Sequence, residues 1–256
     1  RAAATSSAVP VVLSPITLNN YGGNCNFQYP LWVRAIADPQ TRARPAGRAY
    51  QRYLEMQEFQ NSKDRPYIHL VDGGVSDNIG VRGVLEFLEE AAASATFQGQ
   101  VGFGAIKRVV LLVVNSHSSP KTDWDRDESP PGMAVQLMQA SGVPIDRYSF
   151  ETVETMKDRA EIMARQRELL VARARLAGAS EAEAEKGVPK VTLEVVDVSF
   201  DAIKEPKERA YFMNLPTSFV LPPEDVDRLR DVAGVLLRQS ADYQTVLHSF
   251  GKVGDK

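Results

Sequence analysis

With 256 residues, 43% of them hydrophobic and 25% charged, the chain is long enough to bury a sizeable core and too apolar for wholesale disorder. A formal charge of −3 and a pI near 5.7 leave no basic excess with which to neutralise a phosphate backbone, so nucleic acid is not an expected partner. No run of about eighteen apolar residues predicts a membrane-spanning helix, and Cys25, the sole cysteine, excludes an internal disulfide framework.

The first residue is Arg1, and the stretch to Pro10 lacks the apolar core of a signal peptide. The start reads as a cut from inside a longer protein, which leaves targeting, compartment and oligomeric state open. Residues 1 to 9 predict the end of a helix stopped by Pro10. Val11 to Leu18 runs extended into the turn-rich Asn19 to Asn24, where Gly22-Gly23 suits a turn better than an anion-binding nest. Trp32 and Ala46 to Phe59 suggest a covering excursion with a helix, and Asn61 to Pro66 a loop. Tyr67 to Val71 is a short apolar run that ends in Asp72, followed by Gly73 and Gly74 and a polar cap, Ser76-Asp77-Asn78. Val81, Val84, Leu85 and Leu88 then give a helix one buried face, with Glu86, Glu89 and Glu90 elsewhere.

After a small-residue loop, Ala91 to Gly104, the run Ile106 to Val114 predicts a strand buried on both faces of a parallel sheet, completing a strand–helix–strand unit. Asn115 to Gly132 is a long polar loop. Its His117, like His69 and His248, has no paired ligand spacing and reads as a surface residue. Ile145 to Leu176 is helical, with Val153, Met156, Ala160, Met163, Leu170, Val171 and Ala174 on one side. Its cations alternate with carboxylates around the axis, which describes a solvated face rather than a membrane-surface helix; Arg167 alone enters the apolar stripe and is read as snorkelling outward. Gly178 to Gly187 is an acidic connector. Val191 to Phe200 is a strand whose alternation shifts once, through a bulge or burial on both faces. Pro222-Pro223 starts a last long helix with Val226, Leu229, Ala233, Leu236 and Leu237 inward. No repeat or linker interrupts the chain, so 1–256 is read as part of one continuous domain.

An aspartate at a strand's carboxyl end lies where α/β folds place ligands, although an Asx-type turn capping the next helix explains it equally well. The string Asp72-Gly73-Gly74-Val75-Ser76-Asp77-Asn78, between strand and helix, resembles the aspartate block of the patatin-like phospholipase family. Ser7-Ala8-Val9-Pro10 with Leu13-Ser14-Pro15 is similar to the family's small-residue block between nucleophile and aspartate. Asn115 is similar to a further strand end in bacterial members, and Leu215-Pro216-Thr217-Ser218-Phe219 to a feature of one bacterial branch.

The resemblance implies an α/β, three-layer fold with a central, mainly parallel sheet flanked by helices, of which residues 1–256 supply the C-terminal portion. It also implies a serine acyl hydrolase acting on a lipid or phospholipid at a membrane surface, with neither cofactor nor metal. Asp72 would be the catalytic base of a Ser–Asp dyad, supported by the motif residues Gly73, Gly74, Asp77 and Asn78. The family's GxSxG elbow and glycine-rich oxyanion loop are both absent from these residues, and both would precede the small-residue block. This chain therefore carries the aspartate without the serine. Ser76 is read as a helix cap, not a nucleophile. The alternatives are a non-catalytic lipid-binding or interaction module of the same fold and, less well supported, a cation site at Asp72 and Asp77, which lack the regular acidic spacing of a calcium loop.

Overall fold

Helices and two short strand pairs make the architecture mixed α/β, with a small parallel sheet. The computed structural model of the chain describes residues 2–9, 14–30, 33–34, 47–93, 98–99, 102, 105–119, 121–122, 124–188, 191–216, 218 and 220–251. Pro10 to Leu13, Trp32, Thr217 and Phe219, which figured in the sequence reading, lie outside them. The chain divides into two compact units, Arg1–Ile106 and Lys107–Lys256.

In the first unit, α1 (Ala2–Thr5) and β1 (Ile16–Asn19) precede α2 (Gly47–Glu58), β2 (Tyr67–Leu70), α3 (Gly74–Asp77) and α4 (Val81–Ala93). Strands β1 and β2 form an antiparallel ribbon in which Ile16 faces Leu70 and Asn19 faces Tyr67. His69 is spent within this ribbon: its Nδ1 lies 2.9 Å from the hydroxyl of Thr17, the residue directly opposite. Among the described residues β2 pairs with β1, and the strand over 108–115 pairs with a later strand of its own unit, in place of the direct strand–helix–strand pairing expected of 67–71 and 106–114. The physical reason is visible in β2 itself. Its four residues alternate between exposed and half-buried, as a ribbon with one wet face requires, whereas a buried parallel strand needs a continuous apolar run.

The Asn19 to Asn24 segment is a turn, not an anion nest. Both glycine N–H groups are taken up by the protein, Gly22 donating to Asn20 Oδ1 (2.8 Å) and Gly23 to Gln60 Oε1 (3.2 Å). A Cβ on Gly22 would stand 2.0 Å from the Phe59 carbonyl oxygen, and Gly23 has φ of +77°, so glycine is required at both positions.

Helix α4 buries Val81, Leu85 and Leu88, as the 3.6-residue period predicts. It also buries Glu86 and Glu89, against expectation. Each carboxylate is matched by arginine: Glu89 pairs with Arg48 of α2, and Glu86 with Arg52 of α2 and with Arg82 one turn earlier, at 3.2 Å. Glu90, next in the helix, has its pKa raised by burial and by the Glu86 charge, with Arg52 opposing.

The second unit contains β3 (Arg108–Asn115), α5 (Met133–Leu176), α6 (Glu181–Lys186), β4 (Thr192–Ser199), α7 (Pro206–Met213), α8 (Pro223–Gln239) and α9 (Ala241–Gly251). Strands β3 and β4 pair in parallel from Arg108 opposite Thr192 to Asn115 opposite Ser199. The parallel pairing agrees with the sequence reading. Burial on both faces does not: Val113 is inward, but Val110, Leu112 and Val114 are exposed, Val114 to 64%. In β4 the register runs unbroken, so the shifted alternation is no bulge. Leu193, Val196 and Val198 are buried while Val195 is half-buried, which is burial on both faces.

Beyond β4 the core gathers Val196, Val198, Phe200, Ile203, Phe212, Val232, Leu236 and Val246. The rings of Phe200 and Phe212 stack at 5.3 Å. On α8 the buried stripe runs through Leu229, Val232 and Leu236; Val226 and Ala233, expected inward, are exposed. Helix α5 starts twelve residues before the predicted Ile145 and passes through Pro144, which lacks the N–H that would bond the Ala140 carbonyl. Good helix formers over Met133–Ala140 outweigh that loss. In α5, Val153 and Met156 are fully inward, while Leu170 is exposed. Ion pairs Lys157–Glu154 (2.8 Å) and Arg165–Glu161 (2.6 Å) fit the solvated face read from the sequence. Arg167 turns toward α6 and pairs with Glu185. The expected connector is itself a helix, α6, started by a reciprocal capping box between Ser180 and Glu183.

Asp197 of β4 is half-buried, with Oδ1 unpartnered and Lys157 Nζ 3.8 Å from Oδ2. Burial raises its pKa, and the Lys157 charge only partly offsets this. A carboxyl with a raised folded-state pKa weakens the fold as pH climbs from the unfolded value through the folded one. Asp197→Asn should therefore raise the melting temperature at pH 7 and flatten the fall in stability just above the ordinary carboxylate range, measured by thermal melts across pH. Phe212→Ala should cost roughly 3–5 kcal/mol in chemical denaturation, since it empties the stacked centre of this core.

Candidate functional site

The carboxylate at the end of β2 is positioned by two backbone groups, one distant in the chain and one local. The Asp72 N–H donates to the carbonyl of Ala8 at 3.0 Å, tying the strand end to the small-residue block near the start of the chain. Ala8 is itself buried. The Asp72 block and the Ser7–Pro10 stretch thus meet at this bond.

Past Asp72 the chain turns at once. The Gly74 N–H donates to Asp72 Oδ1 at 2.7 Å, an Asx turn, and the Gly73 carbonyl then accepts from Ser76 (3.0 Å) and Asp77 (2.8 Å) to form the single turn of α3. Oδ2 accepts no hydrogen bond from any described residue. One carboxylate oxygen is therefore fixed by the backbone, and the other is without a donor among the described residues. The Asx turn offered as the plain structural reading is present, and it occupies half of the group.

The glycines differ in purpose. Gly73 has ordinary helical φ of −63° and open space where a Cβ would stand. Gly74 does not: a Cβ there would lie 2.8 Å from Asn78 Oδ1 and 3.0 Å from Asp72 Oδ1. Asn78 and Asp72 thus crowd the same face of Gly74. Asp77 has a separate task, because both of its carboxylate oxygens accept from the Arg82 N–H, at 3.2 and 3.1 Å, and cap the start of α4. Of the three residues that could have capped that helix, Asp77 is the one that does. Gly80, with φ of +68°, supplies the left-handed residue between α3 and α4.

Ser76 lies on α3 facing a cleft of about 580 Å³, together with Asp77, Arg82 and Glu86 from one side and Arg48 and Arg52 from the other. This arginine–glutamate cluster between α2 and α4 was not anticipated. Its signal was there in the sequence: Arg48 and Arg52 stand four apart on one helix, Glu86 and Glu89 three apart on another, each pair on one face.

Asn115 ends β3 in an Asx turn like that of Asp72, its Oδ1 accepting the His117 N–H at 3.1 Å. His117 Nε2 lies 3.4 Å from Asp146 of α5, a pairing across the long loop that sequence spacing could not reveal. Among the described residues no three His, Cys, Asp or Glu side chains cluster as metal ligands. Comparison with known protein families, with characterised proteins and with solved structures returned no match.

The unequal surroundings of the two glycines give a direct test. Gly74→Ala should destabilise the protein by up to about 1 kcal/mol, since its Cβ must turn the exposed Asn78 amide aside and press on the Asx turn at Asp72 Oδ1, whereas Gly73→Ala, with helical φ and open space, should leave stability unchanged or raise it by up to about 1 kcal/mol. Urea unfolding of the two variants would separate them.

Proposed function

We propose that this chain is the aspartate-bearing part of a patatin-like serine acyl hydrolase acting on lipid esters, with the three-layer fold of that family and with Asp72 as the base. The observation that carries the reading is the half-anchored carboxylate. Oδ1 is held by the Gly74 N–H at 2.7 Å, and Oδ2 meets no donor among the described residues. A base that acts on a hydroxyl needs one oxygen fixed for orientation and one available for the proton. The contact between Asp72 and Ala8 adds support, because it joins the aspartate block to another of the stretches by which the sequence resembles the family.

In the proposed reaction, Asp72 Oδ2 accepts the proton of a serine hydroxyl as its oxygen attacks the ester carbonyl. The tetrahedral intermediate collapses as the alcohol leaves with that proton, and an acyl-serine remains. Water then attacks the acyl group, giving up its proton to the same carboxylate, and as the second tetrahedral intermediate collapses that proton returns to the departing serine oxygen, releasing the acid and restoring the serine and the carboxylate. The serine would come from a GxSxG elbow, which these 256 residues do not contain. The second reading is a lipid-binding module without catalysis, and the coding sequence upstream of Arg1 separates the two.

The test is carried out in the protein that includes the elbow. Asp72→Asn should leave the far-UV spectrum and melting curve unchanged and lower turnover of a water-soluble short-chain ester by roughly 10²–10⁴-fold. A folded variant with near-normal turnover overturns the assignment. A fluorophosphonate probe should label that protein and leave the present chain unmarked; a coding sequence lacking the elbow would favour the binding module.

A further inference from the structure

We propose that β3 is the contact strand of a symmetric dimer, pairing antiparallel with β3 of a second copy of this chain. The inference goes beyond the hydrolase reading, does not rest on it and uses only the second unit. Among the described residues β3 is bonded along one edge alone. The Thr192 N–H donates to the Lys107 carbonyl at 3.1 Å, and with the parallel register this turns the backbone groups of Val109, Leu111 and Val113 toward β4. The alternate residues, Arg108, Val110, Leu112 and Val114, point their N–H and C=O groups the other way, where no described residue bonds them. A row of unmet backbone donors and acceptors is completed by another extended strand, not by a helix or an apolar molecule.

The same residues carry the exposed side chains. Val110 is exposed to 37%, Leu112 to 46% and Val114 to 64%. Their neighbours across the ladder, Val196 beside Leu112 and Val198 beside Val114, are buried in the core of the unit. The apolar layer thus continues from β4 onto β3 and ends uncovered at the open edge. The far edge of the sheet differs. Strand β4 carries Glu194 and Asp197 along its length, and charges within a strand discourage pairing, whereas Val109 to Val114 holds no charge, proline or glycine.

The order of residues selects a second copy as the occupant. Val109-Val110-Leu111-Leu112-Val113-Val114 reads the same in both directions, so a reversed copy sets Val or Leu against Val or Leu. A two-fold axis perpendicular to the sheet at Leu111 places Val110 opposite Leu112 of the second copy, and Arg108 opposite Val114 of the second copy. All four are residues whose backbone faces outward, so each such pair exchanges two hydrogen bonds, about eight across the interface. Sliding the register by one residue would oppose outward groups to inward ones and forfeit the ladder.

Side chains and charges agree with that axis. It keeps like faces together, so the exposed Val110, Leu112 and Val114 of both copies join into one apolar strip as cross-strand neighbours. Lys107 and Arg108 of the two copies fall at opposite ends of the interface, beside the neutral Val114 and Asn115, whereas an in-register parallel arrangement would set Arg108 against Arg108. An isologous contact uses the open edge of both copies at once and therefore closes at two, without a fibre. The two-stranded parallel sheet becomes one of four strands, an ordinary size for a stable sheet.

Sedimentation velocity of the 256-residue chain over a dilution series tests the proposal and should show a monomer–dimer equilibrium without larger species. Val110→Lys with Leu112→Lys sets lysines directly opposite one another across the axis, and should weaken the dimer at least about tenfold while the circular dichroism is kept. Val110→Lys with Leu112→Glu removes the same apolar side chains but opposes unlike charges, and should dimerise at least about threefold more tightly than the double lysine variant. Should the lysine variant unfold, Leu111→Cys in a Cys25→Ser background should form a disulfide-linked dimer under mild oxidation, because the axis sets Leu111 opposite its own copy with Cα atoms about 4.5 Å apart. Val109→Cys in that background should not. The proposal is overturned if the wild-type chain stays monomeric, if the folded double lysine variant dimerises as tightly as wild type, if the two double variants dimerise equally, or if Val109→Cys cross-links as readily as Leu111→Cys. A monomer whose Val110, Leu112 and Val114 amides resist hydrogen exchange would overturn it in favour of a strand from the same chain. A dimer of this chain that the longer, elbow-bearing protein does not form would overturn it in favour of a strand from upstream.

Discussion

The hydrogen bond from the Gly74 N–H to Asp72 Oδ1 is the constraint on which the first unit's candidate site depends. A ribbon strand must stop and a helix must begin within three residues, and this bond makes that turn while fixing the carboxylate that makes it. The crowding of Gly74 by Asp72 Oδ1 and Asn78 Oδ1 follows from it, since a side chain at 74 would displace both. Asp77 repeats the device one turn later, capping α4 with its own carboxylate, and Gly80 supplies the left-handed residue between the two caps. The motif is a relay of short-range bonds made by Asp72 Oδ1, the Gly73 carbonyl and the Asp77 carboxylate. Asp72 Oδ2, in contrast to Oδ1, meets no donor among the described residues.

The next support is electrostatic. Glu86 and Glu89 are buried on the side of α4 that the helical period leaves to polar residues, and isolated buried carboxylates would be strongly unfavourable. Arg48 and Arg52 from α2, with Arg82 from α4 itself, supply the compensating charge. Removing one partner from such a cluster leaves an uncompensated buried charge, which costs far more than the pair contributes by existing. The cluster consequently sets which faces of α2 and α4 can meet, and Ser76 and Asp77 line the same cleft.

Local chemistry was legible in the sequence where the determining interaction lies within a few residues. The turn at Asp72, the capping of α4 by one of three candidate polar residues, the buried Val81, Leu85 and Leu88, and the turn at Gly22-Gly23 all follow from side-chain type and short-range geometry. What failed depended on partners distant in the chain. Strand β2 was assigned to a parallel sheet because it precedes a helix and a second apolar run, but its partner, β1, lies about fifty residues before it and runs the other way. Glu86 and Glu89 were placed in solvent because hydropathy alone cannot see two arginines on another helix. In α8 the stripe was shifted because Ala233, apolar but small, was counted in place of Val232, which fills the core. Asp72, Gly74, Asp77 and Asn78 were found as a local string, while the contact between Asp72 and Ala8 required the fold.

A carboxylate that works without histidine places an unusual demand on its surroundings. An ordinary aspartate, with a pKa of about 4, is a far weaker base than imidazole, so proton affinity contributes little and position must contribute most. Long side chains on mobile loops are poorly suited to that task. Aspartate has one carbon between backbone and carboxyl, and here the backbone on one side is held to Ala8 while the carboxyl is held to the N–H two residues on. Two short bonds therefore fix the strand end and one oxygen together, and the direction of the second oxygen follows from covalent geometry. The same geometry separates two substitutions at this position. Glutamate at 72 would add a rotatable bond and move the carboxyl beyond the Gly74 N–H, while asparagine would keep the turn and forfeit the proton acceptor. Shape and chemistry at this residue are thus separable, and the acceptor oxygen is the part that structure alone does not require.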